Sequence, residues 1–188
     1  MKQIEICEGE TGMKPNDNGE IMLPKFKYYP NLYKSDMVVF KEDICQCCGK
    51  KVNAYIENMY SEEDIECLCL ECVANGEAAK KFGGDFIQAA EKVSDPAKKD
   101  ELFHRTPGYI SWQGEYWLAC CDDYCAYIGK VGTKELEEMG IANEVFAEYD
   151  ARGKYEDVRE FLVKNGSVTG YLFKCLHCGK YHLWVDAD

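Results

Sequence analysis

Apolar positions along this chain follow two periods, one typical of strands and one typical of helices. Short segments rich in β-branched and aromatic residues predict strands at residues 36–40, 52–60, 126–131, 168–173 and 181–185. Apolar residues spaced three and four apart predict helices at residues 73–81, 133–139, 141–149 and 155–164, one helix or two short ones at 85–99, and a helical turn at 100–105. This mixture of short strands and short helices predicts an α+β fold.

Glycines and prolines mark the boundaries between these elements. Gly83 and Gly84 end the first predicted helix, and Asp95-Pro96 interrupts the second. Thr133 is predicted to cap the third helix, and Gly140 to stop it. Before residue 21, several Gly, Pro and Asn residues break any regular pattern. We therefore expect an N-terminal extension at 1–20 and a single domain at 21–188, with one lobe over about 21–100 and another over about 101–188.

The chain repeats the hexapeptide C-x-x-C-G-K, and a strand-like segment follows each copy. The first copy begins at Cys45 and the second at Cys175. Two thiols three residues apart, with a Gly after the second, form a tight turn whose amides point at the sulfurs. This zinc knuckle supplies half of a tetrahedral metal site, and four thiolates suit zinc above other metals. The second knuckle is also predicted to be the turn of the hairpin formed by the last two strands.

The first site is predicted to consist of Cys45, Cys48, Cys69 and Cys72. Cys47 and Cys67 are rival ligands, but the C-x-x-C spacing lets both sulfurs of a pair converge on one ion. The second pair precedes the helix at 73–81, and a helix N-terminus favours thiolate charge. The order of knuckle, strand, thiol pair and helix is that of a treble-clef or ribbon-like zinc finger.

The second site is predicted to pair Cys175 and Cys178 with Cys121 and Cys125. Two alternatives stay open, because Cys120 could replace Cys121, and a histidine could replace a thiol. If only three groups bind, the fourth position is open to water, and zinc chemistry becomes available. The histidines considered for this role are His177 and His182.

Charge and cysteine usage restrict the class of protein. The formal net charge is −12, and the lysines are scattered, which argues against nucleic-acid binding because affinity for nucleic acid depends on neutralising phosphates. The charged first ten residues leave no signal-peptide core, and no uncharged apolar run reaches the length of a membrane span. We therefore expect a cytoplasmic protein whose 12 cysteines are reduced thiols or ligands to zinc, with two ions bound.

Sequence motifs for catalysis are missing. The chain carries no H-E-x-x-H, no G-x-S-x-G and no Gly-rich phosphate loop, and the zinc-deaminase pattern fails. An enzyme remains the alternative interpretation, either hydrolase-like or redox, using an open second zinc or thiol site. His104 or His177 would then serve as the acid–base group.

Several short segments of the sequence resemble the CbrC family, a group of small bacterial proteins associated with tolerance to an E-group colicin. They are the stretches at residues 23–30, 45–50, 68–72, 74–82, 105–109, 112–117 and 170–180. The resemblance covers roughly residues 23–184. The family has His-Cys where Cys120-Cys121 stands, which supports Cys121 as a ligand, whereas Cys125 departs from the family pattern.

The resemblance implies a zinc-containing fold without an established reaction, and a tolerance or immunity-type protein that binds a protein partner. A basic toxin domain would suit the acidity of the chain. Tyr109, Trp112 and Trp117 are candidates for the recognition surface, since Trp and Tyr are favoured interface anchors. The alternative for these aromatic residues is the hydrophobic core.

Overall fold

The fold is described from a computed structural model, covering residues 23–151 and 155–188. The predicted extension at 1–20 lies outside these residues. Eleven strands are present in the described part of the chain: β1 Asp43–Ile44, β2 Lys51–Val52, β3 Tyr55–Ile56, β4 Leu68–Cys69, β5 Ala89–Ala90, β6 Tyr116–Trp117, β7 Ala119–Cys120, β8 Asp123–Tyr124, β9 Ala126–Val131, β10 Val168–Lys174 and β11 Tyr181–Ala187. The α-helices are α1 Leu70–Ala74, α2 Glu77–Phe82, α3 Pro96–Arg105, α4 Thr133–Glu138, α5 Ala142–Asp150 and α6 Val158–Phe161, and Leu32–Lys34 form a 3-10 turn. The predicted α+β class is confirmed.

The chain forms two compact units whose segments interleave. The first contains the described residues up to Ile87 together with Asp100–Gly108, and the second contains Gln88–Lys99 and Tyr109–Asp188. The division predicted from the sequence has a single boundary near residue 100, unlike these interleaved units, and it stays a prediction.

The first unit is built from two small antiparallel ladders and the helices that follow them. Strand β1 pairs with β2 on either side of the first knuckle, and β3 pairs with β4 through Tyr55 opposite Cys69. The strand predicted at 52–60 is thus broken into β2 and β3, and 36–40 contributes a single bridge from Val39 to Tyr55. Fully buried apolar side chains form the core of this unit: Tyr28, Leu32, Ile56, Leu68, Leu70, Ile87 and Leu102.

The second unit is organised by a three-stranded antiparallel sheet in the order β11-β10-β9. Strands β10 and β11 form the predicted hairpin, in register from Val168 opposite Ala187 to Lys174 opposite Tyr181, and the second knuckle is its turn. Buried apolar residues of α4, α5, α6 and the three strands pack into one cluster. It comprises Val131, Leu136, Ala142, Val145, Phe146, Tyr149, Val158, Leu162, Leu172, Leu183 and Val185.

The prediction of one helix or two short ones at 85–99 is wrong for residues 85–95. Residues 89–90 form β5, which pairs in parallel with β6 through Ala89 opposite Tyr116, and helix α3 begins only at Pro96. The Asp95 carboxylate accepts a hydrogen bond of 2.8 Å from the Ala97 amide, as an N-cap does. Proline fits the first helical position because its missing N–H would have no partner there. Asp95-Pro96 is therefore a helix start and not the predicted interruption of a helix.

Three other helix predictions change in detail. The helix predicted at 73–81 is split into α1 and α2 by Gly76, which adopts a left-handed φ of 77°. Helix α4 agrees with its predicted span, but its N-cap is Gly132, whose amide donates to the Glu135 carboxylate at 2.8 Å, in place of Thr133. The helix predicted at 155–164 shrinks to the single turn of α6, which leaves Phe161 exposed.

Candidate metal centres

The first candidate metal centre brings together Cys45, Cys48, Cys69 and Cys72. Their sulfur atoms all lie within 4.8 Å of one another, and the Sγ atoms of Cys48 and Cys69 are 3.9 Å apart. The first pair comes from the turn between β1 and β2. Cys69 is the residue before α1, and Cys72 lies in the first turn of that helix. These are the four residues that the sequence analysis assigned to the first site.

The backbone of the first knuckle holds its two sulfurs in place. The Gly49 amide donates to the Cys45 carbonyl at 2.8 Å, and the Cys45 amide donates to Lys50 at 2.9 Å. Gly49 adopts a left-handed φ of 72°, which a residue without Cβ reaches at little cost. The Cys69 amide donates to the Cys45 sulfur at 3.2 Å, so that a backbone dipole stabilises thiolate charge there.

Negative charge in the first tetrad concentrates on one sulfur. A hydrogen bond from the Cys69 thiol, assisted by backbone amides, lowers the pKa of Cys45 to about 4. The same hydrogen bond raises the pKa of Cys69, and burial raises the pKa of Cys72. Four sulfurs this close cannot all ionise without a cation between them, because like charges in a buried site repel strongly.

Cys47 and Cys67 lie outside the first tetrad. Burial raises the pKa of both thiols, to about 11 for Cys67, so both stay protonated at neutral pH. The C-x-x-C spacing therefore selects the same sulfurs as the structure, and the C-x-C rivals do not join them.

The second candidate centre consists of Cys120, Cys121, Cys175 and Cys178. The sulfur of Cys120 lies 3.7 Å from that of Cys121 and 3.7 Å from that of Cys178. The second knuckle repeats the first, with Gly179 at a φ of 73° and its amide 3.1 Å from the Cys175 carbonyl. Both knuckles thus present a pair of thiols by the same local geometry.

The tip of the β7–β8 hairpin supplies the other pair of thiols. Cys121 and Asp122 form its two-residue loop with φ values of 55° and 53°, the left-handed pair that defines a type I′ turn. Non-glycine residues adopt this conformation only when other contacts hold them. Here the Ser94 amide donates to the Asp122 carboxylate at 2.8 Å, and the Lys98 ammonium donates to the Asp122 carbonyl at 2.8 Å.

The second tetrad contains Cys120 in the place of the predicted ligand Cys125. The reverse turn at Cys121-Asp122 brings the adjacent residues Cys120 and Cys121 to the hairpin tip, whereas Cys125 follows the returning strand and is fully buried. The Cys125 amide donates to the Leu118 carbonyl, and its own carbonyl accepts from the Trp117 indole. Two acidic residues after a Cys-Cys pair, flanked by strand-forming aromatic residues, were the available signal for this turn.

The histidines weighed as ligands or as acid–base groups lie outside both tetrads. His177 Nε2 lies 2.9 Å from the carboxylate of Asp123, a buried residue, and His182 Nδ1 lies 3.0 Å from Glu148. His104 Nδ1 lies 2.8 Å from the Asp100 carboxylate and its Nε2 lies 3.1 Å from that of Asp85. Both ring nitrogens of His104 are thus engaged by carboxylates, which leaves neither for a substrate.

One sulfur of the second tetrad also concentrates the charge. Burial raises the pKa of Cys175, but hydrogen bonds from the amides of Cys178 and His177, each 3.4 Å from its sulfur, and from the Cys178 and Cys120 thiols together lower the pKa to about 6. Burial raises the pKa of Cys120. The second tetrad therefore repeats the pattern of the first, with one sulfur that ionises readily among three neighbouring thiols.

The sulfur spacing in both tetrads fits a tetrahedral metal ion. Zinc–sulfur bonds of about 2.3 Å in a tetrahedron separate the sulfurs by about 3.8 Å. The observed separations of 3.7 and 3.9 Å match this value, and a disulfide would instead need about 2.05 Å. Each tetrad can therefore hold a metal ion by four sulfur ligands.

The predicted recognition residues divide between core and surface. Tyr109 is 2% exposed and Trp117 is 0% exposed, so neither can form a partner surface as predicted. Both pack with Tyr127 and Phe173, and Tyr109 also packs with Tyr171; the ring centroids of Tyr109 and Tyr127 are 4.4 Å apart. Trp112 alone of the three is exposed, at 54%.

The loop that carries Trp112 is firmly anchored. The amides of Trp112 and Gln113 both donate to the same oxygen of Asp186, each at 2.9 Å. The Trp112 indole also donates to the Gly166 carbonyl at 3.2 Å. The exposed ring is therefore held in one orientation by the backbone beneath it. Across residues 23–151 and 155–188, no helix has the length and apolar character needed to cross a membrane.

Comparison with known proteins identifies a family. The model of the uncharacterised protein family UPF0167 matches residues 23–187. A UPF0167 protein of Pseudomonas aeruginosa is 33% identical over 173 residues, which cover 87% of this chain and 97% of the relative. UPF0167 proteins of Mycobacterium bovis and Mycobacterium tuberculosis are each 34% identical over 175 residues, covering 87% of this chain and 93% of the relative. No solved structure is significantly similar. On a match that spans both cysteine tetrads, this chain belongs to the UPF0167 family.

Proposed function

We propose that this protein binds two zinc ions in closed four-cysteine sites and acts as an interaction protein rather than an enzyme. The observation that carries the proposal is the convergence of two sets of four thiols at tetrahedral spacing. Four sulfur ligands in a tetrahedron are typical of zinc or of an iron–sulfur centre, and zinc is the metal of treble-clef knuckles. Zinc supplies the positive charge that allows all four sulfurs of a tetrad to ionise together.

The ligand count favours a structural role for both sites. Catalytic zinc keeps one position for water or substrate, whereas four protein ligands close the coordination shell. In the first site the ion would tie the β1–β2 hairpin to the start of α1. In the second it would tie the β10–β11 hairpin to the tip of β7–β8. The zinc-enzyme alternative needs one thiol of the second tetrad to leave its position.

Metal content tests the proposal directly. Native mass spectrometry of protein purified under reducing conditions without chelator should show two zinc ions per chain, with eight thiols protected from alkylation. One zinc with a reactive second tetrad would favour the enzyme alternative. Iron in place of zinc, or no metal, would contradict the proposal.

The affinity for zinc is expected to fall steeply as pH falls. Cys69, Cys72, Cys120 and Cys121 have raised pKa values and are protonated at pH 7, so each ion displaces at least two protons from its site. Protons therefore compete with the metal, and log K should rise by at least about two per pH unit between pH 6 and 8. Competition with a chelator of known affinity measures this slope. A slope near zero would mean that the thiolates are already formed without metal.

The partner in this proposal is a basic protein, and the role is tolerance of a bacterial toxin in the cytoplasm. The resemblance to the CbrC family suggests the role, and the formal charge of −12 supports the choice of partner. Each filled four-thiolate site adds two negative charges, which takes the chain to about −16. The reduced thiols require a reducing compartment such as the cytoplasm. Of the three aromatic candidates, Trp112 is the exposed one, and it could anchor the contact.

Association with a basic toxin domain is expected to be fast and sensitive to salt. Opposite net charges speed diffusional encounter, and ions screen the attraction over about 8 Å at physiological ionic strength. Stopped-flow association with a colicin-type nuclease domain should slow markedly as sodium chloride is raised, while the dissociation rate changes less. Rates independent of salt would remove the electrostatic part of the proposal. Absence of any complex at low salt would remove the toxin as partner and leave the zinc sites untouched.

A further inference from the structure

The two cysteine tetrads differ in how far solvent reaches their sulfurs. In the first, Cys45, Cys69 and Cys72 are buried and only Cys48 is exposed. In the second, only Cys175 is buried, Cys120 is half-buried, and Cys121 and Cys178 are exposed. A small dissolved oxidant therefore reaches one sulfur of the first tetrad, whose neighbours are buried, but several neighbouring sulfurs of the second. Thiolate character and exposure together decide which cysteines oxidise.

Two sulfurs of the second tetrad are well placed to form a disulfide. Cys120 and Cys178 lie 58 positions apart in the chain, on the β7–β8 hairpin and in the second knuckle, and their sulfurs are 3.7 Å apart. Shortening this gap to about 2.05 Å asks only for a small movement of an exposed turn. Cys121 is equally near Cys120, but a bond between adjacent residues closes a small ring and departs from preferred disulfide geometry.

The turn that carries Cys121 depends on surface contacts. Its two left-handed residues are held by Ser94 and Lys98 through exposed hydrogen bonds to Asp122. Once an ion no longer links the sulfurs, these contacts and the short β7–β8 ladder keep Cys121 over the knuckle. The hairpin tip is therefore the part of the second site that can open.

We propose that the Cys120–Cys178 pair is an oxidation site through which a peroxide releases the zinc of the second tetrad, while the first tetrad keeps its ion. This rests on the proposed zinc function. The exposed Cys178 thiolate attacks one oxygen of hydrogen peroxide, the O–O bond breaks, and a sulfenic acid and hydroxide form. The Cys120 thiolate then attacks the Cys178 sulfur, forming the S–S bond and expelling a second hydroxide. Two protons convert the two hydroxides to water.

The remaining ligands cannot retain the ion. The two sulfurs lose two electrons, the peroxide gains them, and Cys121 and Cys175 are left as the only thiolates of the site. Loss of half of the ligands frees the zinc, as removing deprotonated ligands weakens any thiolate site. A dithiol reductant returns both electrons, and added zinc then refills the site.

The experiment treats the full chain, loaded with two zinc ions, with hydrogen peroxide and follows released zinc with a coloured chelator. One zinc per chain should be released, peptide mapping should find a Cys120–Cys178 disulfide, and reductant with zinc should restore two ions. Simultaneous loss of both ions, earlier loss from the first tetrad, or release without that disulfide would overturn the proposal. A chain that never binds two zinc ions fails the proposed function before any peroxide is added.

Two variants sharpen the result. Cys120→His keeps a zinc ligand but cannot form the disulfide, so its zinc release by peroxide should be suppressed; release at the parent rate would overturn the proposal. Cys47→Ser removes a half-buried thiol outside both tetrads and should release zinc as the parent does. If Cys47→Ser released zinc more slowly than the parent, Cys47 would take part in the oxidation, and the proposed Cys120–Cys178 site would be wrong. If Cys120→His binds only one ion, disulfide mapping of the peroxide-treated parent chain tests the proposal in its place.

Discussion

Replacing Cys69 by serine is expected to unfold the first unit and to leave one zinc per chain. Cys69 is the residue before α1; its sulfur belongs to the first tetrad, and its amide donates to the Cys45 sulfur. A structural zinc contributes on the order of 10 kcal/mol of coupled folding free energy, comparable to the whole stability of about 5–15 kcal/mol of a small domain. Hydrogen exchange measured by mass spectrometry should show lost protection at 43–56 and 67–82, together with the loss of one ion.

The matched control for this change is Cys47→Ser. It makes the same substitution of oxygen for sulfur two residues from Cys45, at a thiol that lies outside the tetrad. Both ions and the exchange protection of the first unit should persist. If Cys69→Ser keeps two zinc ions and normal protection, the first tetrad is not a metal site. If both variants unfold, the effect belongs to cysteine packing in general.

The knuckles could be predicted from sequence because their geometry is local. In each, the two thiols, the glycine at φ near 72° and the closing hydrogen bonds fall within six consecutive residues. The strands that flank the second knuckle also agree with prediction, since β10 and β11 pair through that turn. Because the interactions that form a knuckle lie within six residues, the sequence of those six residues is enough to predict it.

The assignment of Cys120 over Cys125 depends on contacts distant in sequence. A type I′ turn is ordinarily signalled by Asn-Gly, because both central residues need positive φ. Here Cys121-Asp122 adopts it because Ser94 and Lys98 hold Asp122 from the opposite side. Nothing within the loop itself encodes that support. The helix wrongly predicted at 85–99 has the same cause, since β5 exists only through its pairing with β6.

For a related reason, the sequence does not decide which aromatic residues between 109 and 117 are buried. Tyr109 and Trp117 contact Tyr127 and Phe173 of the sheet, whereas Trp112 is turned outward by the two amides that bind Asp186. Asp186 is a buried acid on β11, 74 residues further along the chain. Composition alone assigns all three aromatic residues the same preference. The decision between core and surface is made by the partners that the fold brings to them.

The Trp117→Ala substitution is expected to destabilise the second unit by about 3–5 kcal/mol, the usual cost of truncating a large buried aromatic side chain. The indole is fully buried, lies 5.6 Å from the Phe173 ring, and donates to the Cys125 carbonyl at 2.8 Å. Its removal leaves a cavity and loses the hydrogen bond to the Cys125 carbonyl, and each is unfavourable. Urea unfolding of the zinc-loaded protein, followed by the fluorescence of the remaining tryptophans, measures the loss.

Trp112→Ala is the control, and it also separates stability from recognition. Its ring is 54% exposed, so the unfolding free energy should fall by only about 0.5 kcal/mol, as for most surface substitutions. If Trp112 anchors a protein partner, the same variant should lose affinity for that partner with its fold and both zinc ions intact. Equal destabilisation by the two substitutions would contradict the division into core and surface. A stable Trp112→Ala protein with unchanged partner affinity would place the recognition surface elsewhere on the chain.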